Sequence, residues 1–143
     1  MKKFCVLLAA VVSLSVFVGC SGHVGLSGKV TYSDDDSPLT VGNVVFKKGG
    51  LVSWGKLQSD GTYVIGSVSE ADGLPPGVYQ VYVSGAERVV VPGNEDRGIP
   101  DEMESLIDLK YTTAETSELT VEVKRSTKFD FQVDRYVAPQ RRK

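Results

Sequence analysis

Two cysteines, Cys5 and Cys20, are all the sequence holds, and both fall within its first twenty residues. No thiol is left in the rest of the chain for a disulfide, a zinc site or nucleophilic catalysis. A single histidine, His23, stands three residues beyond Cys20, too isolated for general-base work. Positive charge is not in excess either: 16 Lys and Arg face 18 Asp and Glu, a formal charge of −2. Phosphate binding needs a basic face, so nucleic acid is not an expected partner. No Ser/His/Asp set, metal quartet or phosphate loop is recognisable, and neither an enzyme nor a cofactor is expected.

The longest uncharged apolar run covers residues 4–18, fifteen in all. That is short of the ~20 residues a helix needs to span a bilayer, and no stop-transfer pattern follows. Lys2 and Lys3 precede the run and Gly19 closes it before Cys20, the layout of a cleaved leader. Phe17-Val18-Gly19-Cys20 resembles the lipobox of bacterial lipoproteins, with Phe17 where Leu is usual. The resemblance implies a signal peptide over 1–19, cleavage before Cys20 and acylation of that cysteine. Several acyl chains, each contributing ~0.8 kcal/mol per buried CH₂, hold a soluble domain on a membrane. Ser21, a non-Asp residue after the cysteine, implies by the same likeness the outer membrane of a double-membraned cell envelope. The mature chain then has 124 residues, with 14 bases and 18 acids. One core can hold a chain of that length without disulfides.

Fifteen glycines, six prolines and recurrent Val, Thr and Tyr favour an all-β domain with tight turns. After a tether over 20–25, residues 26–32 alternate apolar or small with polar side chains, the period of a half-buried strand. Further strands are expected over 43–48 and 51–58, joined at Gly49-Gly50, then over 62–67 and 78–84. Residues 119–124 and 128–134 alternate most cleanly and are expected to pair as an antiparallel hairpin across Arg125-Ser126-Thr127. The count is seven strands, which suits one antiparallel Greek-key sandwich over 26–134, followed by a basic tail over 135–143. The tail is expected to be disordered from Val137.

Between residues 87 and 118 the alternation lapses, and nine acids stand against three bases. Arg88 to Val91 can extend the sheet, and Pro92-Gly93-Asn94 ends it. Pro100-Asp101-Glu102 resembles a helix start, with Met103, Leu106 and Ile107 on one helical face, so a short helix or packed loop is expected.

The order of motifs is similar to that of carboxypeptidase-regulatory-like, transthyretin-like domains. The likeness rests on Gly28-Lys29-Val30-Thr31-Tyr32, Gly42-Asn43-Val44-Val45-Phe46, Ser59-Asp60-Gly61-Thr62-Tyr63 and Leu74-Pro75-Pro76-Gly77-Val78-Tyr79-Gln80-Val81. Tyr111 to Val123, followed by Phe129-Asp130-Phe131, resembles the ending of small bacterial envelope lipoproteins that carry this domain. The whole likeness covers residues 26–134 and implies a prealbumin-like sandwich serving as a non-catalytic accessory or interaction module. The sequence departs from that pattern at Asp34-Asp35-Asp36 and in the acidic 87–110 segment.

Four features are candidates for binding. Asp34-Asp35-Asp36 clusters oxygens as calcium sites do, but adjacent Asp side chains alternate in direction, so a solvated turn is the plainer reading and no metal is expected. Trp54 with Tyr82 or Tyr63 offers aromatic faces for sugar rings, although a lone Trp in a sandwich is more often core. The acidic run with Asp101, Glu102, Glu104 and Asp108 suits a basic partner, against the reading of a solvated loop. Cys20 supplies the membrane attachment. The favoured function is an envelope lipoprotein that binds a protein partner, with carbohydrate binding as the alternative.

Overall fold

The structure, a computed structural model, describes residues 22–66 and 73–139. The leader, Cys20, the end of the expected strand at Ser67 and the last residues of the tail lie outside the described residues.

The chain is all-β, with ten strands in three sheets among the described residues. In chain order these are β1 (Leu26–Tyr32), β2 (Asn43–Lys48), β3 (Leu51–Lys56), β4 (Thr62–Val64), β5 (Gly77–Ser84), β6 (Glu87–Val91), β7 (Glu102–Ser105), β8 (Leu119–Val123), β9 (Thr127–Lys128) and β10 (Phe131–Val133). One sheet runs β3-β2-β5-β8, antiparallel throughout. A second is built on β1, with β4 antiparallel on one edge and the short strands β9 and β10 parallel to β1. The third is a separate two-stranded hairpin, β6-β7.

The inward side chains of the two larger sheets form one cluster. Val30, Tyr63 and Val133 from one sheet, and Val44, Phe46, Tyr79, Val81 and Val83 from the other, are all fully buried. Phe46 sits at the centre, its ring centroid 6.1 Å from that of Tyr63 and 6.4 Å from those of Tyr79 and Phe129. Tilted and edge-on rings at such distances add to the area they bury.

Gly28 allows the β1 sheet to close. A Cβ there would collide with the carbonyl of Phe129, which crosses directly over it. That carbonyl accepts a hydrogen bond from the Tyr63 hydroxyl, while the Lys29 amide donates to the Asp130 carboxylate at 2.8 Å. Side chains thus satisfy backbone groups where β9 breaks off and β10 begins, and both strands keep the same offset from β1.

Three expectations need correction. Residues 119–124 and 128–134 do not form a hairpin: β8 pairs with β5, whereas β9 and β10 join β1, so the turn at 124–126 crosses between sheets. Pairing of β9 and β10 with β1 is also parallel, so the fold is not antiparallel throughout. Finally, residues 102–105 are not helical. They form strand β7 against β6, and the only helical turns among the described residues are two short 3₁₀ turns at Glu95–Arg97 and Leu109–Thr112.

Candidate interaction surfaces

The β6-β7 hairpin is the feature least absorbed by the core. All five residues of β6 are exposed, and among the described residues neither strand of the hairpin is paired to another sheet. Direct cross-strand partners share a face. Val89 lies opposite Met103 on one face, while the other carries Arg88 opposite Glu104 and, past a bulge, Val91 opposite Glu102. Arg88 grips Glu104 through two nitrogens, at 3.0 and 2.6 Å. Val89, Val90, Val91, Ile99 and Met103 are each between two-fifths and three-fifths exposed. The tip is self-contained: Asn94 and Ile99 exchange backbone hydrogen bonds at 2.8 and 2.9 Å, and the Gly93 amide donates to Asp101 at 2.7 Å.

The four acids singled out in the sequence therefore have different settings. Asp101 closes the hairpin tip, Glu102 and Glu104 stand on one hairpin face, and Glu104 is already paired. Asp108 lies outside the hairpin, where its carboxylate caps the Leu109–Thr112 turn by accepting from the Lys110 amide at 3.0 Å. The acids do not converge on one point.

Trp54 is not a core residue. It is 57 % exposed, on the outer face of β3. Its neighbours in sequence, Ser53 and Gly55, point inward, where a Cβ on Gly55 would strike the Val64 carbonyl. The second sheet approaches too closely at β3 for a large inward side chain, so the large one faces out. Trp54 pairs with Val45, and Val45 pairs with Tyr82 on the far side. The two aromatics thus share the outer face across two strand spacings, ~10 Å. Val45 between them is only 5 % exposed despite facing outward. Tyr63 belongs to neither: it is fully buried in the other sheet, and burial pushes its phenol well above the usual range, with the nearby Asp130 charge adding to the rise.

The three aspartates of the 34–36 turn are committed to other partners. Arg135 reaches Asp34 at 2.8 Å and Asp35 at 3.0 Å, and Gln132 donates to Asp36. The Ser37 hydroxyl and amide also donate to Asp35, at 2.6 and 3.0 Å. Those hydrogen bonds, chiefly that of the Ser37 hydroxyl, lower the Asp35 carboxyl to about 2. Among the described residues no three His, Cys, Asp or Glu side chains gather as a metal site would require.

Among the described residues a shallow depression of ≈ 430 Å³ is bordered by Lys110, Tyr111, Ser117 and Glu118. Another, of ≈ 300 Å³, is bordered by Lys29, Asp130 and Gln132. In the first, the Lys110 amine is held by Asp134 at 2.6 Å, and that bond raises it above the usual lysine range. A fully protonated, ion-paired amine is no nucleophile. His23 is exposed next to Val24.

Sequence reasoning missed the hairpin, although the alternation in Glu102-Met103-Glu104 was its signal. Comparison with protein-family models, curated proteins and solved structures gives no match. No helix among the described residues is long and apolar enough to cross a membrane.

Proposed function

We propose that the chain is a lipid-anchored protein of the bacterial cell envelope, attached through Cys20, whose domain is a non-catalytic module that binds a protein partner. The lipobox-like Phe17-Val18-Gly19-Cys20 supports the anchor and, with Ser21, the outer membrane. The two facing sheets and their common core support a transthyretin-like Greek-key sandwich over 26–134. One observation carries the binding claim. The β6-β7 hairpin stands apart from both sheets, with exposed valines and free strand edges. An isolated two-stranded hairpin gains little stability for itself, and free edges invite an added strand. Photo-crosslinking in cells from Val89 or Met103 tests this. Capture of one specific envelope protein supports the reading, and no capture from either position overturns it. Fatty-acid labelling that survives Cys20→Ser would overturn the anchor.

A second reading is favoured by Trp54. An exposed Trp sharing a sheet face with Tyr82 offers flat apolar surfaces of the kind sugar rings stack against. Gln80 and Lys47 stand on the same face, in the next row across β5 and β2. Glycan binding lost in Trp54→Ala would establish it.

A further inference from the structure

The tether fixes which end of the domain faces the lipid, an inference that rests on acylation of Cys20. Val24 is already fastened to the domain: its amide donates to the Leu74 carbonyl at 2.8 Å, and the Leu74 amide donates back at 2.9 Å. From Cys20 to Val24 the chain is four residues, a reach of at most ~14 Å. The end of the molecule around Val24 cannot move far from the membrane.

That end can be traced from contact to contact. The Thr127 amide donates to Gly25 at 2.9 Å, which brings the 123–128 turn beside the tether. Gly77 pairs with Val123, and the Lys48 amine donates to the Pro76 carbonyl at 3.0 Å, adding the 48–51 turn. The opposite end holds the 34–36 turn and the base of the hairpin. There Asn43 pairs with Ser84, Arg135 binds Asp34 and Asp35, and the hairpin leaves at Glu87 and Ser105. Strand β5 runs from one end to the other, a separation of roughly 23 Å.

Among the described residues the two ends differ in charge. Of these residues, the anchor end carries Lys48, Lys124, Arg125 and Lys128 against Glu122 and Asp130, which pair with Lys124 at 3.1 Å and Lys128 at 3.0 Å. The Lys124 and Lys128 side chains are about three-quarters exposed, so both pairs are rim contacts easily exchanged. Segment 67–72, with Glu70 and Asp72, lies outside the described residues.

We propose that the turns at 48–51 and 123–128 form a membrane-facing surface. It rests on anionic phospholipid headgroups and holds the acidic hairpin away from the bilayer. Basic groups close to an anionic leaflet are attracted to it. A one-residue anchor leaves the domain free to pivot, and such a surface limits the pivoting.

The mature, acylated protein has no free thiol if Cys20 is modified, so a single introduced cysteine takes a fluorophore cleanly. The acylated full chain is reconstituted into phosphatidylcholine vesicles with and without phosphatidylglycerol, both carrying a headgroup-attached quencher. Label at Ser126→Cys should be strongly quenched and label at Glu87→Cys hardly at all. Equal quenching, or stronger quenching at position 87, overturns the orientation while mass spectrometry of Cys20 shows the anchor intact. Absence of acyl chains on Cys20 overturns the anchor and the orientation together. Combining Lys124→Gln, Arg125→Gln and Lys128→Gln should reduce quenching at position 126 in phosphatidylglycerol vesicles to the level seen in phosphatidylcholine alone. Quenching unchanged by those substitutions overturns the role of the basic turn, and an unaltered circular dichroism spectrum excludes misfolding as the cause.

Discussion

The Arg135 guanidinium lies over the ring of Tyr32, its central carbon 3.7 Å from the ring centroid. The same guanidinium reaches Asp34, Asp35 and the Ser37 hydroxyl, so one side chain joins the end of β1, the acidic turn after it and the segment following β10. A planar fork can stack and bridge two carboxylates at once, which an ammonium cannot. Arg135→Lys should therefore behave more like Arg135→Ala than like the parent, lowering the thermal midpoint. A lysine variant as stable as the parent would show that charge alone matters there.

Low pH should weaken this end of the domain. Asp35 is lowered to about 2 by the Ser37 and Arg135 bonds, and Asp134 to about 2 by Lys110, with Ser33 and Tyr111 also donating. Both folded-state values lie below the unfolded value of 3.8, so the unfolded chain takes up protons first as pH falls. The stability they supply is complete above about pH 4 and is lost as pH falls through about 2. Thermal midpoints should fall across that window, and less so in a combined Asp35→Asn, Asp134→Asn variant. Parallel curves for the two proteins would contradict the assignment.

Two aromatic substitutions should separate core from surface. Phe46→Ala empties the centre of the cluster and should cost about 3–5 kcal/mol. Trp54→Ala removes a larger side chain from an exposed position and should cost less than about 1 kcal/mol. Urea unfolding of both variants checks the contrast, and comparable losses would place Trp54 in the core after all.

The Tyr63 hydroxyl offers a smaller, sharper test. Tyr63→Phe keeps the packing but leaves the Phe129 carbonyl without its donor, at a cost of about 1–3 kcal/mol. Gly28→Ala, which pushes a methyl into the same carbonyl, should be worse. A neutral Gly28→Ala would mean that β9 and β10 do not cross β1 as described.

The sequence made some of this plain and concealed the rest for physical reasons. Alternation in β1 and β5 was readable because one face of each is buried and the other wet. Neighbourhood in sequence misled at residues 119–133. Two clean alternating runs with a short turn look like a hairpin, but their partners, β5 and β1, are distant in the chain. The inward side of β3 was hidden by its small residues: Ser53 and Gly55 are core positions because the opposing sheet is close, and Trp54 is outside for the same reason. Consecutive burial of Val44, Val45 and Phe46 had no local signal, since Val45 is shielded by cross-strand neighbours. The candidate surface at 87–105 was legible as acidic and irregular, but its strand partner was not. The lipobox-like residues 17–20 are read by composition and spacing alone and lie outside the described residues, so the anchor stands as a proposal.

Removing the hairpin should separate folding from binding. Residues 88–104 contribute nothing to the buried cluster, whereas Ala86 and Ile107 on either side belong to it. The Leu106 amide donates to the Ala86 carbonyl at 2.8 Å, so the chain is already pinned at the hairpin base. Replacing 88–104 with a short glycine-containing turn should leave that bond and the core intact. Shortening a loop changes closure entropy slowly, so the stability change should stay within about 1 kcal/mol. Any partner captured by crosslinking from Val89 or Met103 should then be lost from a protein that remains folded. Retention of the partner, read by co-purification through a reporter elsewhere on the domain, would move the contact to the outer face around Trp54. Collapse of the domain on excision would instead make the hairpin part of the fold.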